Sequence, residues 1–469
     1  MSPHATAQDC DSAAASSDLS KSHVLHRSLH NLPRKVVAAD GLYLTLANGQ
    51  RILDATSGPA VSCIGHNNAR VKAAMAKQLS EVDYVQSWFF STQAGEDLAD
   101  ELIRGTQGRM ARCFVISSGS EAMEAAIKLC RQYFLELPTP QPKRVKFIAR
   151  RESWHGATMG ALAMSGHVAR RALFEPMLSR DMCRVSFCHA YRAKAEGESD
   201  EDYVRRLAQE LDDEFQRQGP ETVCAFVAEP VVGASLGCVP AVPGYFQAMR
   251  AVCDKYGALL VLDEVMCGMG RTGTLHAWEQ EGVVPDIQTL GKGLGAGYMP
   301  IAALLINAKV ADTLKRGSGA FSHGQTYQGH PLACAAALEV QRVIREEGLV
   351  ANSAKMGKLL GERLKSRLGG HAHVGDIRGR GLFWGIEFVK DKATKEPFDP
   401  KLGVSMGINE KGLTEPYSIC LYPGSGTVDG RRGDHVLLSP PFTVTEADVE
   451  TIVERTARVV EDFFSELRQ

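Results

Sequence analysis

The sequence predicts an α/β protein in which a mostly parallel sheet covered by helices is followed by a smaller α+β lobe. Short apolar runs alternate with amphipathic segments through the middle of the chain, which is the pattern of a parallel sheet with helices on both faces. Beyond about Val340 long amphipathic segments dominate instead. At 469 residues the chain also exceeds the size at which one hydrophobic core keeps growing, so we expect two lobes.

Local patterns define the individual elements. The stretch GLYLTLANGQRILDA from Gly41 predicts a β-hairpin, because Asn48-Gly49 is a preferred two-residue turn. Short apolar runs with β-branched residues predict buried strands at 111–116, 144–149, 223–231 and 258–265. Amphipathic patterns predict helices at 120–134, 245–257, 338–348, 355–368 and 446–468, and a short strand set is expected around 381–389.

These elements suggest how the chain divides into domains. Residues 1–22 are rich in Ser, Ala and Asp and poor in large apolar side chains, which predicts a flexible tail. Residues 76–340 carry the strand and helix alternation and are expected to form the large domain. The small domain is then expected to combine residues 23–75 with residues 341–469.

Composition excludes several classes of partner. The net charge of −2 gives no electrostatic reason to expect a nucleic acid or an anionic membrane, and no apolar run reaches the ~18 residues of a membrane span. The 12 cysteines have no Cys-x-x-Cys or zinc-ligand spacing, so no metal site is expected and most should be buried thiols. Since the N-terminus lacks a leader-peptide pattern, we expect a cytoplasmic protein that acts on small molecules.

The segment SSGSEA around Gly119 and Ser120 is a candidate phosphate site. It joins the predicted strand ending near Ile116 to the next helix, and small residues there let backbone N–H groups approach an anion at the helix N-terminus. The alternative is a plain helix cap made by a serine and an early glutamate. The segment alone leaves both interpretations open.

Asp263 and Lys292 are the candidate catalytic residues. Asp263 ends the apolar run ALLVLDEV, where a carboxylate needs a cationic partner; a protonated pyridine nitrogen would serve, and so would Arg271 in a structural ion pair. Lys292 lies between glycines in TLGKGLGAGYMP. Partial burial of such a lysine would lower its pKa and make the amine a better nucleophile towards a carbonyl group.

Two further segments are candidates for ligand contacts. Trp154-His155-Gly156 follows a predicted strand, and the indole could stack on a planar heteroaromatic ring or simply belong to the core. Thr326, in SHGQTYQGHP, offers a loop hydroxyl that could bind phosphate.

The segment GMGRTG at 268–273 matches the glycine pattern of nicotinamide-binding proteins. That fingerprint also requires a helix that opens at the glycines and an acidic residue roughly 20 residues further on. Position 288 is Gln, and Asp263-Glu264 before the glycines would repel a pyrophosphate. We therefore reject a nicotinamide-dependent oxidoreductase as the leading interpretation.

Several blocks in order resemble the class III (ω-amino acid and amine) aminotransferases. They are SGSEAMEAA, WHG, EPVVG, LDEVMCGMGRTG, PDIQTLGKGLGAGYMP and HGQTYQGHPLACAAA, and the resemblance runs from about Gly41 to about Asp462. It implies a fold-type I architecture, pyridoxal 5'-phosphate (PLP) as the cofactor, and a homodimer with shared active sites. The implied reaction moves an amino group from an amine or ω-amino acid to a keto acid or other carbonyl compound by a ping-pong mechanism.

The resemblance also implies catalytic roles. Lys292 resembles the lysine that holds the cofactor covalently, and Asp263 the partner of the pyridine nitrogen. Val265 is similar to the residue that packs on the ring face opposite Trp154. Glu229 of EPVVG matches an acid that in several members gates a carboxylate-binding arginine.

Phosphate contacts follow from the same resemblance. Gly119 and Ser120 resemble the phosphate-binding pair, and His155 lies in the WHG block beside the ring-stacking residue. Thr326 is similar to the threonine that reaches the phosphate of the neighbouring subunit's cofactor.

Three departures from the family pattern concern the substrate. Met266 stands where many α-amino-acid-accepting members have Gln, and the Arg that ornithine-type members have before Pro440-Pro441 is absent, with Leu438 in that neighbourhood. Pro59-Ala60 lies where amine-preferring members often have a bulky aromatic residue.

A carboxylate-binding residue must then come from elsewhere. Arg431 and Arg432, in a glycine-rich stretch, could supply a carboxylate clamp or simply face solvent. A PLP-dependent decarboxylase, aminomutase or lyase would share every cofactor residue, so these reactions remain alternatives.

Overall fold

The computed structural model describes residues 22–467, so the predicted flexible tail lies almost entirely outside the described residues. The strands are β1 (Val36–Asp40), β2 (Tyr43–Leu46), β3 (Arg51–Asp54), β4 (Arg112–Ile116), β5 (Lys146–Arg150), β6 (Met182–Val185), β7 (Val223–Ala228), β8 (Val231–Val232), β9 (Val239–Pro240), β10 (Leu259–Asp263), β11 (Ile287–Leu290), β12 (Ala302–Ile306), β13 (Val374–Arg380), β14 (Phe383–Phe388), β15 (Ile419–Cys420), β16 (Tyr422–Ser425) and β17 (Asp434–Leu438).

The helices range from single turns to six turns. They are α1 (Ser57–Ala60), α2 (Ala69–Glu81), α3 (Gln93–Gly105), α4 (Gly119–Leu135), α5 (Met159–Met164), α6 (Val168–Arg171), α7 (Ala190–Ala193), α8 (Asp200–Gln218), α9 (Tyr245–Lys255), α10 (Trp278–Glu281), α11 (Ala308–Arg316), α12 (Pro331–Glu346), α13 (Leu349–Leu368), α14 (Val404–Gly412) and α15 (Glu446–Leu467).

A seven-stranded sheet organises the middle of the chain, in the order β4-β12-β11-β10-β7-β5-β6. The pairs of β10 with β7 and β11, and of β5 with β6 and β7, are parallel, whereas β12 runs antiparallel to both of its neighbours. Strands β7 and β10 are buried at every position, as expected when helices cover both faces. The predicted α/β fold with a mostly parallel sheet is confirmed.

The sheet brings several strand ends to one edge. Strands β4, β5, β7, β10 and β11 all finish at this edge, because the antiparallel β12 separates two sets of strands that run the same way. Residues that follow these strands by one to four positions therefore become neighbours, although they are far apart in sequence. Ligand sites of open α/β sheets form at such carboxyl ends.

A second structural unit is built from both ends of the described chain. A four-stranded antiparallel sheet has the order β13-β14-β17-β16, and β15 pairs in parallel with β3 of the N-terminal hairpin sheet. One core cluster joins apolar side chains from Leu42 to Val71 with others from Ala336 to Phe464. This shared core supports the proposed small domain of residues 23–75 and 341–469, whose boundaries remain a prediction.

The predicted elements appear with small shifts of their ends. The hairpin forms with Gly49 at φ +87°, the left-handed region that its turn requires. The run predicted as one strand at 223–231 divides into β7 and β8, because the segment between them turns away from the sheet. Helix α13 begins six residues earlier than its predicted start at 355, directly after Gly348.

Candidate active site

A cavity of about 430 Å³ lies at the carboxyl edge of the seven-stranded sheet. Its lining includes residues that follow β4, β5, β7, β10 and β11. The whole lining is Val61, Ser117, Ser118, Gly119, Ser120, Trp154, His155, Gly156, Glu229, Ala234, Asp263, Val265, Met266, Lys292, Gly297, Met299, Pro300 and Ile301. Eight of the residues predicted for the site are brought together here.

Lys292 follows β11 and begins a short 3₁₀ turn that ends at Leu294. Its backbone has φ +44°, a left-handed conformation that costs a residue with a side chain on the order of 1–3 kcal/mol and is concentrated at functional sites. Within residues 22–467, no hydrogen bond or ion pair engages its amine. Burial lowers the pKa of Lys292, although Asp263 and Glu229 act in the opposite direction.

Asp263 is a buried carboxylate that is held on both oxygens. Its Oδ2 lies 2.8 Å from Nδ1 of His155, and its Oδ1 accepts hydrogen bonds from the backbone N–H of Val265 at 3.1 Å and the hydroxyl of Thr289 at 3.2 Å. Because β10 and β11 pair Asp263 with Thr289, the sheet register itself fixes this carboxylate.

The alternative partner of Asp263 is not supported by the geometry. Arg271 instead donates from Nη1 to the carbonyl oxygens of Leu382 at 3.0 Å and Pro440 at 2.6 Å, and its guanidinium lies over the ring of Phe442. Arg271 therefore links the GMGRTG segment to the ends of β14 and β17, and the Asp263 carboxylate lines the cavity instead of pairing with Arg271.

Glu229 follows β7 and is also buried. Its two oxygens accept hydrogen bonds from the backbone N–H groups of Trp154 and Gly233, each at 3.1 Å. Burial raises the pKa of this carboxyl, and the charge of Asp263 adds to the shift. The contacts join the ends of β5 and β7 across the cavity floor.

The N-terminus of α4 combines both predicted features of SSGSEA. Ser118 caps the helix by accepting from the N–H of Glu121 at 3.3 Å, and Glu121 accepts from the N–H of Ser117 at 3.1 Å. Gly119 is tightly placed, because a Cβ there would come within 2.7 Å of Cγ1 of Val265. The capping box therefore uses Ser118 and Glu121, which leaves Gly119 and Ser120 on the cavity wall.

Gly156 positions the serine of this wall. It has φ +140°, and a Cβ there would meet Oγ of Ser120 at 2.6 Å. Ser120 Oγ accepts a hydrogen bond from the N–H of Ala157 at 3.0 Å. The segment after β5 and the start of α4 thus approach more closely than side chains would allow.

Trp154 and His155 both line the cavity. The Trp154 ring lies under the guanidinium of Arg170, whose Cζ is 4.2 Å from the ring centroid, and makes an edge contact with His167. His155 is buried, and its Nε2 has no hydrogen-bond partner among the described residues.

Thr326, Arg431 and Arg432 are not among the residues that line the cavity. Thr326 borders a separate surface cavity with Trp88, and its carbonyl accepts from the hydroxyl of Tyr84 at 3.1 Å. Arg431 and Arg432 are exposed, and Nε of Arg432 pairs with Asp429 at 2.7 Å. The phosphate contact of Thr326 and the carboxylate clamp of Arg431 and Arg432 stay predictions.

Sequence reasoning missed several residues of the site. Arg170 lies in the unremarkable segment GHVARR, and only the tertiary fold brings it over Trp154. Ala234 and Ser117 line the cavity but carry no chemical signal of their own. Ser117 could have been found from its position one residue after a predicted buried strand.

The GMGRTG segment forms a series of turns, and no helix opens at its glycines. A Cβ at Gly270 would lie 3.0 Å from the ring of Phe442, and one at Gly273 would lie 3.2 Å from Ala354. The glycines therefore allow close packing between the two structural units, and the segment lacks the helix that the nicotinamide fingerprint requires.

Solved transaminases share this architecture. An (S)-enantioselective ω-transaminase from Thermomicrobium roseum matches with a TM-score of 0.87 and 34% identity, over 95% of this chain and 97% of that chain. An amine transaminase from an uncultivated Pseudomonas species, solved in a PLP-bound form, matches with a TM-score of 0.86 and 32% identity over 99% of each chain. The fold is that of a fold-type I transaminase.

The sequence comparisons give the family. A model of the family described as "Aminotransferase class-III" matches residues 24–460, so the chain belongs to the class III aminotransferases. It is therefore an enzyme, a PLP-dependent aminotransferase, as the resemblance predicted.

Three curated relatives are similar to this chain over most of its length. An aminotransferase of Gibberella zeae is 54% identical over 93% of this chain and 85% of its own length. An uncharacterized aminotransferase of Schizosaccharomyces pombe is 47% identical over 94% and 95%, respectively. A chloroplastic gamma-aminobutyrate transaminase of Solanum lycopersicum is 34% identical over 92% and 81%.

Two further findings concern the helices and the cysteines of the described residues. None of the helices within 22–467 is both long and apolar enough to cross a membrane. The eleven cysteines in this part of the chain are free thiols, and most of them are buried.

Proposed function

We propose that this aminotransferase moves an amino group between an amine or ω-amino acid donor and a keto acid or other carbonyl acceptor by a ping-pong mechanism. The observation that carries the proposal is that Lys292 and Asp263 line one cavity at the carboxyl edge of the sheet. A gamma-aminobutyrate transaminase among the relatives and an amine transaminase among the solved structures support a donor whose amino group is not flanked by a carboxylate.

The residues present fit PLP. The amine of Lys292, which has no partner among residues 22–467, matches its aldehyde. The buried carboxylate of Asp263, which has no arginine partner in the same range, matches its ring nitrogen, and a helix N-terminus matches its phosphate. When bound, PLP supplies a carbonyl carbon for the amine and a ring that accepts electron density.

Lys292 is proposed to hold the cofactor covalently and then to move the proton at the donor carbon. Burial lowers the pKa of its amine, so a larger fraction is neutral near pH 7 than for a lysine in water. Only the neutral amine can bond to a carbonyl group or accept a proton.

Asp263 is proposed to hold the proton of the cofactor ring nitrogen. Its Oδ2 is oriented by His155 at 2.8 Å and its Oδ1 by the N–H of Val265 at 3.1 Å. These contacts keep the carboxylate fixed at the strand end, so it need not reorient during the reaction. Glu229 holds the neighbouring backbone of Trp154 in the same way.

The remaining cofactor contacts are proposed from their positions on the cavity wall. Trp154 and Val265 would pack on opposite faces of the ring, with His155 beside it. Gly119 and Ser120, at the start of α4, would bind the phosphate with their N–H groups and the serine hydroxyl.

The enzyme is proposed to act as a homodimer in the cytoplasm. Trp88, Phe89 and Phe90 form a run of aromatic side chains that are 84%, 71% and 63% exposed, a pattern that marks protein interfaces. Thr326 borders the same cavity as Trp88. A second copy that covers this surface would bring Thr326 towards the partner's phosphate site.

A half-reaction screen tests the proposal. Candidate amines are added one at a time to the cofactor-loaded protein, and loss of the visible cofactor absorbance is followed with analysis of products. We expect at least one amine or ω-amino acid to yield its carbonyl product and leave the cofactor in its amino form. Carbon dioxide or an eliminated product without net amino transfer would instead identify a decarboxylase or a lyase, and an isomeric amine an aminomutase.

A further inference from the structure

Arg170 is an uncommitted cation beside the cavity. It is exposed, and within residues 22–467 no carboxylate lies within 4.0 Å of its guanidinium and no hydrogen bond engages it. The guanidinium lies over the ring of Trp154, with its Cζ 4.2 Å from the ring centroid, and Trp154 lines the same cavity as Lys292.

Arg171, the next residue, differs from Arg170 because all of its contacts are structural. Arg171 is buried, donates from Nη1 to the carbonyl oxygens of Leu162, Ala163 and Ser165, and pairs with Glu175. Every nitrogen of the Arg171 guanidinium therefore donates to an oxygen of the protein. The contrast indicates that the neighbouring guanidinium has donors available for a ligand.

The charge of Arg170 reaches the reacting end of the cavity. Burial lowers the pKa of Lys292 most, and the positive charge of Arg170 lowers it further. The arginines of the loop that contacts α6 are placed differently: Arg432 is neutralised by Asp429 at 2.7 Å. Since Asp429 also accepts from the backbone N–H of Arg431, this carboxylate is committed within its own loop.

The segment of Arg170 is fixed against that loop. A Cβ at Gly430 would lie 2.5 Å from Cγ2 of Val168, so the start of α6 and the loop of Arg431 are in direct contact. Stacking on the indole holds the guanidinium plane while its N–H edge stays free. Such an edge matches the two oxygens of a carboxylate.

We propose that Arg170 binds the carboxylate of the substrate at the mouth of the Lys292 cavity. The inference rests on the proposed aminotransferase function and narrows its substrate class to compounds that carry a carboxylate away from the reacting carbon or carbonyl. It assigns to α6 the role that the sequence could offer only to Arg431 and Arg432.

The test compares acceptors with and without a carboxylate. The cofactor-loaded enzyme is first converted to its amino form, and the half-reactions with two aldehydes, 4-oxobutanoate and butanal, are measured for the wild type, Arg170→Ala, Arg170→Lys and Arg431→Ala. The control is Arg180→Ala, which removes another exposed arginine that does not line the cavity. Binding of butyrate and of butyramide, which do not react, is measured by calorimetry on the same proteins.

We expect Arg170→Ala to lose about 10- to 100-fold in kcat/KM for 4-oxobutanoate and in butyrate affinity, the usual effect of removing a charge-assisted hydrogen bond. The reaction with butanal and the binding of butyramide should be unaffected. Arg170→Lys should fall between, because an ammonium keeps the charge but not the paired donors. Arg180→Ala should match the wild type.

Two outcomes of the activity measurements would overturn the assignment. One is an Arg170→Ala enzyme that prefers 4-oxobutanoate over butanal as strongly as the wild type does, and the other is loss of that preference in Arg431→Ala alone. Failure of the aminotransferase function would be distinct, because the wild type would then react with neither acceptor while the butyrate measurement still reported on Arg170. A wild type that binds butyrate no better than butyramide would also contradict the assignment.

Discussion

The two ends of the cavity are built in different ways. At its base, Asp263 ends β10 and Glu229 follows β7; both are buried and have each oxygen held by a short contact. On the Trp154 side, called the mouth here, Arg170 is exposed on a one-turn helix over the indole, and this helix contacts the loop of Arg431. The difference indicates that the sheet positions the residues proposed to act on the cofactor, whereas a short helix and a loop carry the residues proposed for the substrate.

Replacing Lys292 should produce the largest effect at the base. We expect Lys292→Ala to have no measurable turnover, because the amine that bonds to the cofactor and moves the proton is gone. The fold should persist, since the amine has no partner among residues 22–467, and circular dichroism should match the wild type. Lys143→Ala, which removes an exposed lysine, should keep full activity.

Replacing Asp263 should leave the fold but slow the reaction. Asp263→Asn should reduce the proton-transfer rate by about 10²- to 10⁴-fold, because a neutral amide does not hold the ring nitrogen protonated. Stopped-flow absorbance of the half-reaction measures this rate.

The matched control is Asp286→Asn. Asp286 is equally buried but lies before β11, at the opposite edge of the sheet, where it pairs with Arg250 at 2.7 Å. Its loss should lower the melting temperature and leave the rate nearly unchanged. Equal effects of both substitutions on rate would show that Asp263 is only a structural residue.

A methyl group at Gly119 should disturb the phosphate end. Gly119→Ala would bring a Cβ within 2.7 Å of Val265, and we expect this overpacking to cost about 1–3 kcal/mol of stability or cofactor binding. Cofactor titration measures the loss of binding affinity, and thermal unfolding measures the loss of stability. Gly370→Ala is the control, because nothing lies within 4 Å of its Cβ; a similar loss there would make the effect unspecific.

Thr326 should have the smallest effect of the proposed cofactor residues. Thr326→Ala should weaken cofactor binding by about 10-fold through the loss of one hydrogen bond to a charged group. At a cofactor concentration that leaves the Thr326→Ala dimer mostly unloaded, mixing with Lys292→Ala subunits should restore partial activity, because one site of each hybrid dimer holds both intact residues. No recovery in hybrid dimers isolated with two affinity tags would contradict a shared site.

The base of the site was more predictable from sequence than the mouth. Asp263 and Lys292 lie directly after apolar runs, and the order of such runs already implies a common edge. The contact between His155 and Asp263 joins residues 108 positions apart, and only the sheet order reveals it. The partners of Arg271 could not be predicted from sequence for the same reason. The carbonyl groups that it contacts belong to Leu382 and Pro440, which are far from it along the chain.

The mouth lacked any local signal. Arg170 and Arg171 are adjacent in GHVARR, yet one is buried in backbone contacts and the other lies over an indole. Which arginine is available to bind a ligand depends on where the turn of α6 directs each side chain. A pattern of residue types cannot supply that information.

The central claim is that Lys292 carries the cofactor, and one labelling experiment tests it most directly. The cofactor-loaded protein is reduced with borohydride, digested, and mapped by mass spectrometry for the peptide that bears the pyridoxyl group. We predict a single modified lysine at Lys292, within the segment TLGKGLGAGYMP, and no such label in Lys292→Ala. A pyridoxyl group on any other lysine of the wild type would contradict the account.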